Sequence, residues 1–306
     1  MSEISRATRP TQLLGDVAVM PADQAHAALE VVGVARETRM EFVKTKEYRR
    51  FMEMCEECRR SRLIGLCYGA AGVGKTEASR AYARWDEIEP LLSWHGVVQP
   101  RLSPENPRPS AAFYTPTATV TARQIEKDIA LLRWSLRVIG EAARAVPQEV
   151  ETVEGMVRPG QVDLLVVDEA DRLKPLALEV LRDVYDRSPM GLVLIGMPGL
   201  EKRLARYPQM YSRVGFVHQY RTLDGEEQQE LIEQQVRSFG GGRGEDRKIE
   251  KEALAQIIRM TGGNFRQMER LLSQMKRILE INPEVEMVSR EVVEAAREQL
   301  VFGKGI

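Results

Sequence analysis

Residues 69–76, GAAGVGKT, constrain this chain more than any other stretch. They match G-x-x-x-x-G-K-[ST], the phosphate-binding loop. Gly69, Gly72 and Gly74 let the backbone turn so that its N–H groups converge on one anion, with Ala70, Ala71 and Val73 between them. Lys75 adds a point charge for the β- and γ-phosphates. Thr76 offers a hydroxyl where Mg²⁺ needs an oxygen ligand. Glu77, the next residue, is counted with the nucleotide-binding residues. A helix beginning here adds the favourable end of its dipole.

Context decides whether such a match binds anything. The run RLIGLCY (62–68) before it reads as a strand, and TEASRAYARW (76–85) after it has helical composition. Strand, glycine-rich loop and helix are the setting the motif requires.

A second signature follows in VDLLVVDEADRL (162–173). Leu164–Val167 is a short apolar run that reads as a buried parallel strand. Asp168 and Glu169 stand at its C-terminal end, where ligands sit in doubly wound sheets. Asp168 suits Mg²⁺, held through water, and Glu169 suits the orientation of an attacking water. Phosphoryl transfer asks for little beyond metal, positioning and charge.

The remaining pattern is α/β and then helical. Residues 1–40 read as an extension that is partly helical (22–37) or mobile. Thr45 suits an N-cap, and 46–61 follow at helical spacing with Tyr48, Phe51, Met52 and Cys55 on one apolar face. Residues 86–111 read as loop. A strand is expected near 112–115 and a helix from about 122, with Ile125, Ile129, Leu132 and Leu136 on one face. A polar connection covers 147–161. Leu176–Arg187 reads as a helix, 191–197 as a strand, 199–212 as a basic helix with Lys202, Arg203 and Arg206, and 215–220 as the last strand. Beyond Asp224 the helical pieces are 224–238, 250–261, 264–280 and 290–300, with a glycine-rich break at 240–244. The expected organisation is an extension at 1–40, an α/β core at 41–222 and a small all-helical domain at 223–306.

The balance of 44 basic and 45 acidic residues gives a net charge of −1. Nucleic-acid binding must then come from a local patch or an assembled surface. Cys55 and Cys58 form a lone C-x-x-C on an apolar helix face, which favours packing over metal. No apolar run is long enough to span a bilayer. A cytoplasmic setting without membrane contact is the expectation.

The order of these parts resembles the AAA+ ATPases: Walker A, an intervening strand and helix, Walker B with Asp-Glu, an arginine before the last strand, and a helical lid. The resemblance implies a P-loop core with a parallel sheet flanked by helices, and ATP and Mg²⁺ as cofactors. Gly263 to Arg266, within TGGNFRQMERLL, looks like sensor 2, whose arginine reaches the γ-phosphate. Arg213, in Ser212-Arg213-Val214, matches the arginine finger that acts on a neighbouring subunit's ATP, with Arg206 as competitor. Sensor 1, usually polar, falls on Ile195-Gly196-Met197. That departure implies slow or partner-regulated hydrolysis.

Within AAA+, residues 40–300 resemble the transposition helpers TniB, MuB and TnsC. The likeness rests on EFVKTKEYRRF, on LVLIGMPGLEKRL and on the absence of an added catalytic domain. It implies an ATPase that binds duplex DNA with little sequence preference, self-assembles into a ring or helical homo-oligomer, selects a target and recruits or activates a transposase. Head-to-tail interfaces with ATP at the seam give such assemblies, and repetition multiplies a few contacts per protomer. Thr119, Thr121, Arg123 and Lys127, at a threonine-rich turn and helix start, suit backbone phosphates; an ordinary capped, solvated helix is the other reading. Three further functions stay open: a replication-initiator or clamp-loader-like ATPase, a secretion or signalling ATPase of the ExeA type, and a nucleotide-gated binding module with little turnover.

Overall fold

The computed structural model describes residues 42–92, 107–143, 162–239 and 246–300. The expected helix at 22–37, the connection at 147–161 and the glycine-rich break at 240–244 lie outside the described residues.

Thr45 begins the ordered core as expected. Its side chain accepts from the Tyr48 N–H at 3.1 Å and caps α1 (Lys46–Ser61). Glu47 in the first turn and Arg59 and Arg60 in the last complement the helix dipole. Tyr48, Phe51, Met54, Cys55 and Cys58 are buried. Met52, expected on that face, is exposed; Met54 takes the buried place instead. Cys58 lies so close to β1 (Ile64–Tyr68) that a side chain on Gly65 would meet its sulfur at 2.7 Å. Burial pushes the Cys58 thiol up to about 12, so it acts as a small apolar group.

After β1 come α2 (Lys75–Tyr82) and the single turn α3 (Trp85–Ile88), which runs into a 3₁₀ turn at Glu89–Leu91. The loop expected from residue 86 therefore begins later, because Trp85 and Ile88 are buried. Trp85 meets Phe113 edge to face, with ring centroids 5.7 Å apart. Next stand β2 (Ala111–Tyr114), the long α4 (Ala122–Ala142), β3 (Leu164–Val167), α5 (Pro175–Asp186) and β4 (Gly191–Gly196). Ile125, Ile129 and Leu136 are buried and Leu132 packs partly against the core, as the helical spacing predicts.

The single basic helix expected at 199–212 is two pieces, α6 (Leu200–Leu204) and α7 (Pro208–Tyr211). Pro208 cannot continue the first helix but fits the first turn of the second. The last core strand is β5 (Val214–Gln219).

The five strands are parallel, in the order β2-β3-β4-β1-β5. β3 and β4 are buried along their whole length, as central parallel strands must be. Non-adjacent crossovers put the ends of β1, β3 and β4 side by side, so distant segments meet at one rim.

α8 (Gly225–Ser238) follows with a full capping box: Asp224 accepts from the Glu227 N–H at 2.9 Å, and Glu227 reaches back to the Asp224 N–H. α9 (Lys251–Thr261), α10 (Phe265–Ile281) and α11 (Arg290–Glu298) complete this region. A parallel pair of two-residue strands, β6 (Lys248–Ile249) and β7 (Met287–Val288), adds to the helices. Among the described residues, no helix is long and apolar enough to cross a membrane.

Candidate nucleotide site

The loop after β1 turns on glycine. Gly72 and Gly74 have φ of 77° and 103°, conformations that L side chains adopt at a cost. A side chain on Gly69 would run into the Tyr220 carbonyl. Val73 is buried beneath the loop. Gly74 leads directly into α2, whose first residue is Lys75.

Lys75 is 8% exposed. Its Nζ donates to the carbonyls of Gly69 at 2.7 Å and Ala70 at 2.8 Å. Burial lowers its pKa; the nearby Asp168 and Asp171 carboxylates oppose that. Beside it, Thr76 Oγ1 donates to Asp168 Oδ2 at 2.6 Å. Asp168 is 3% exposed, and its other oxygen accepts from the Glu169 N–H at 2.8 Å. A hydroxyl and a buried carboxylate in contact form a hard oxygen donor set that fits Mg²⁺. The glycine cradle with its ammonium fits a phosphate chain.

Glu169 sits in the left-handed region at φ 51°, a strained setting for a long side chain. Its carboxylate is ion-paired with Arg172, both side chains about 40% exposed. Arg172 also donates to the Pro116 carbonyl.

The helical region reaches this site from above. Asn264 caps α10 and donates from Nδ2 to the Ala71 carbonyl at 2.8 Å. The Arg266 N–H donates to the Gly72 carbonyl at 2.9 Å. The open cleft between them is lined by Lys75, Thr76, Glu77, Asp168, Glu169 and Arg266 among others. The structure thus brings together every residue expected at the nucleotide except Arg213.

Arg213 lies at the start of β5, and its carbonyl accepts from the Ile64 N–H. The phosphate loop follows the other end of β1. Strands of this length rise roughly 15–20 Å. Arg213 holds Asp186 with two bonds, 2.7 and 3.0 Å. Arg206 is exposed and has no acidic partner among the described residues.

Thr121 caps α4 by accepting from the Gln124 N–H at 3.2 Å. Thr119, Arg123 and Lys127 are exposed at the same helix start, and neither cation has an acidic partner among the described residues.

Three site features escaped the sequence reading: the Arg172 clamp, Asp171 and Asn264. The first two stand in the DEADRL run, whose extra charges were the available signal. Asn264 stands at the start of the helix expected at 264–280, where nothing local marks a contact with the phosphate loop.

A family model described as an AAA domain matches residues 58–204. A potential ATP-binding protein of Staphylococcus aureus is 37% identical over 268 residues, 86% of this chain and 97% of that protein. The Mu-like prophage FluMu DNA transposition protein B of Haemophilus influenzae is 27% identical over 180 residues, 56% of this chain and 54% of that protein. Among solved structures, the Thermotoga maritima RuvB Holliday junction branch migration motor superposes with a TM-score of 0.53 at 16% identity, covering 86% of this chain and 73% of that one. At that identity the likeness speaks for the fold alone. The strand order, the phosphate loop with its Asp-Glu partner strand, the family match and the Staphylococcus relative together assign the chain to the AAA+ ATPases.

Proposed function

We propose that this protein is a Mg²⁺-dependent ATPase that assembles on duplex DNA and regulates transposition by selecting a target and recruiting or activating a transposase. The ATPase core is taken as residues 41–222 and the lid as 223–306. The observation that carries the reading is the separation of Arg213 from its own phosphate loop by the length of a strand. An arginine there is out of reach of its own nucleotide, and on this reading it completes a neighbour's site across a head-to-tail interface.

Within one chain the roles divide as follows. Backbone N–H groups of residues 69–76 and the Lys75 ammonium hold the phosphates. Thr76 and Asp168 would hold the cation, which supplies charge neutralisation at the transferred phosphoryl group. Glu169 accepts from the attacking water once it leaves Arg172. Arg266 extends from the lid into the same cleft. The name of the Haemophilus relative supports the link to transposition. The free, buried thiols suit a reducing, cytoplasmic setting.

Thr119, Thr121, Arg123 and Lys127 are proposed to meet DNA phosphates. A helix start with exposed cations is suited to backbone contact without base readout. Binding should fall steeply with salt.

A second reading, a nucleotide-gated binding module with little turnover, draws on the Glu169–Arg172 pair and the absence of a polar side chain at the end of β4. ATP hydrolysis measured with and without duplex DNA separates the two. Turnover that rises with DNA supports the ATPase. ATP binding with no turnover in either condition supports the module.

A further inference from the structure

The end of β4 reads Ile195-Gly196-Met197, whose side chains offer no hydrogen-bond donor and only the weakly accepting Met197 thioether. The space beside Gly196 is nonetheless polar. A side chain on Gly196 would meet Asp171 Oδ1 at 2.5 Å. The same oxygen accepts from the Met197 N–H at 3.1 Å. Gly196 therefore leaves room for a carboxylate that arrives from the turn after β3.

That turn is braced. Arg203, on α6, donates to the carbonyls of Asp171 and Leu173. Leu173 is fully buried and anchors the turn's far end. Asp171 lines the cleft together with Lys75, Asp168, Glu169, Gly196 and Met197.

We infer that Asp171 is the polar residue of the β4 end and orients the attacking water there. The inference rests on the chain's being an ATPase and deepens that reading. The chemistry sets which partner it takes. An ionised carboxylate accepts and never donates, so it cannot bond the phosphate oxygens as a side-chain amide would. Facing a γ-phosphate, its favourable partner is the O–H of the water. One oxygen is engaged by Met197, and the other is available for that contact. Asp171 and Glu169 then accept from the two hydrogens of one water. Glu169 takes the proton as the water oxygen bonds to the γ-phosphorus and that phosphorus's bond to the bridging oxygen of ADP breaks, ADP leaving with the electron pair, while Asp171 fixes the orientation.

The test is Asp171→Asn in the full-length chain. The amide keeps the size and can still accept from Met197, but it turns a donor toward the water. Affinity for a fluorescent ATP analogue should stay within about threefold of wild type, and kcat should fall about tenfold or more, the scale of a lost oriented water. Gly196→Ala, which displaces the carboxylate without replacing it, should give the same split. Melting temperatures identify a variant that does not fold, in which case the other variant decides. Wild-type kcat in Asp171→Asn, or loss of ATP affinity equal to the loss of rate, overturns the inference while leaving the ATPase reading intact. A wild-type chain that binds ATP and never hydrolyses it overturns both.

Discussion

The two rims of the parallel sheet treat their cations differently. At the C-terminal rim, Lys75 is nearly buried and bonded only to carbonyls of its own loop. An incoming phosphate chain can replace those bonds at little cost. At the opposite rim, Arg213 is held by Asp186 through two charge-assisted bonds. The first rim is prepared for a ligand within one chain. The second is satisfied within the chain and must be released by a neighbour before it can act elsewhere. On the proposed reading, binding is a property of the protomer and hydrolysis a property of the assembly.

The sharpest way to break this contrast is Lys75→Ala. It should weaken ATP binding by about 100-fold or more, the scale of a lost charge-assisted contact in a desolvated site, and abolish assembly with it. Equilibrium binding and sedimentation check both. Assembly without ATP binding would separate the two rims completely.

Glu169→Gln should leave ATP affinity near wild type and reduce hydrolysis by about 10⁴-fold, the upper range for a general base. Trapped ATP and prolonged DNA binding are the expected signs. Arg213→Ala should lower hydrolysis about 10³-fold without changing ATP affinity. Wild-type activity per protomer should climb steeply with protein concentration. A specific activity independent of concentration would count against action across an interface.

Asn264→Ala removes the lid's bond to the Ala71 carbonyl. One such bond contributes about 1 kcal/mol, so ATP affinity should weaken about fivefold. An unchanged affinity would mean that the lid does not sense the loop through this residue.

The smallest effect concerns His218, beside Glu47 at 3.3 Å and in register with Cys67 near the C-terminal rim. Burial lowers its pKa below the ordinary 6.5, against the opposing pull of Glu47. Unfolding lets the imidazole take a proton that the folded chain resists. Its contribution is therefore intact above pH 6.5 and declines as pH falls below that value. His218→Gln should flatten stability between pH 7.5 and 5.5, measured by denaturant midpoints.

The C-terminal rim was largely legible because its parts are local in sequence. The phosphate loop and its helix are contiguous, and Leu164–Val167 announces both the strand and the two carboxylates that follow. Helix spacing gave Thr45 as a cap and Ile125, Ile129 and Leu136 as core. What stayed hidden depends on juxtaposition. Asp171 meets Gly196, Arg203 grips the turn after β3, and Asn264 reaches Ala71 only once crossovers and lid have folded. Met52 misled because helical spacing alone does not separate the flank of a helix from its buried face. The partner of Arg213, Asp186 at the end of α5, gives no local sign either.

The most direct measurement is duplex DNA binding by the purified protein at two salt concentrations, with ATP, a non-hydrolysable analogue, ADP or no nucleotide, and negative-stain imaging of the same samples. Salt-sensitive binding is expected with ATP or its analogue only, accompanied by rings or filaments. Absence of DNA binding in every nucleotide state would contradict the proposed function.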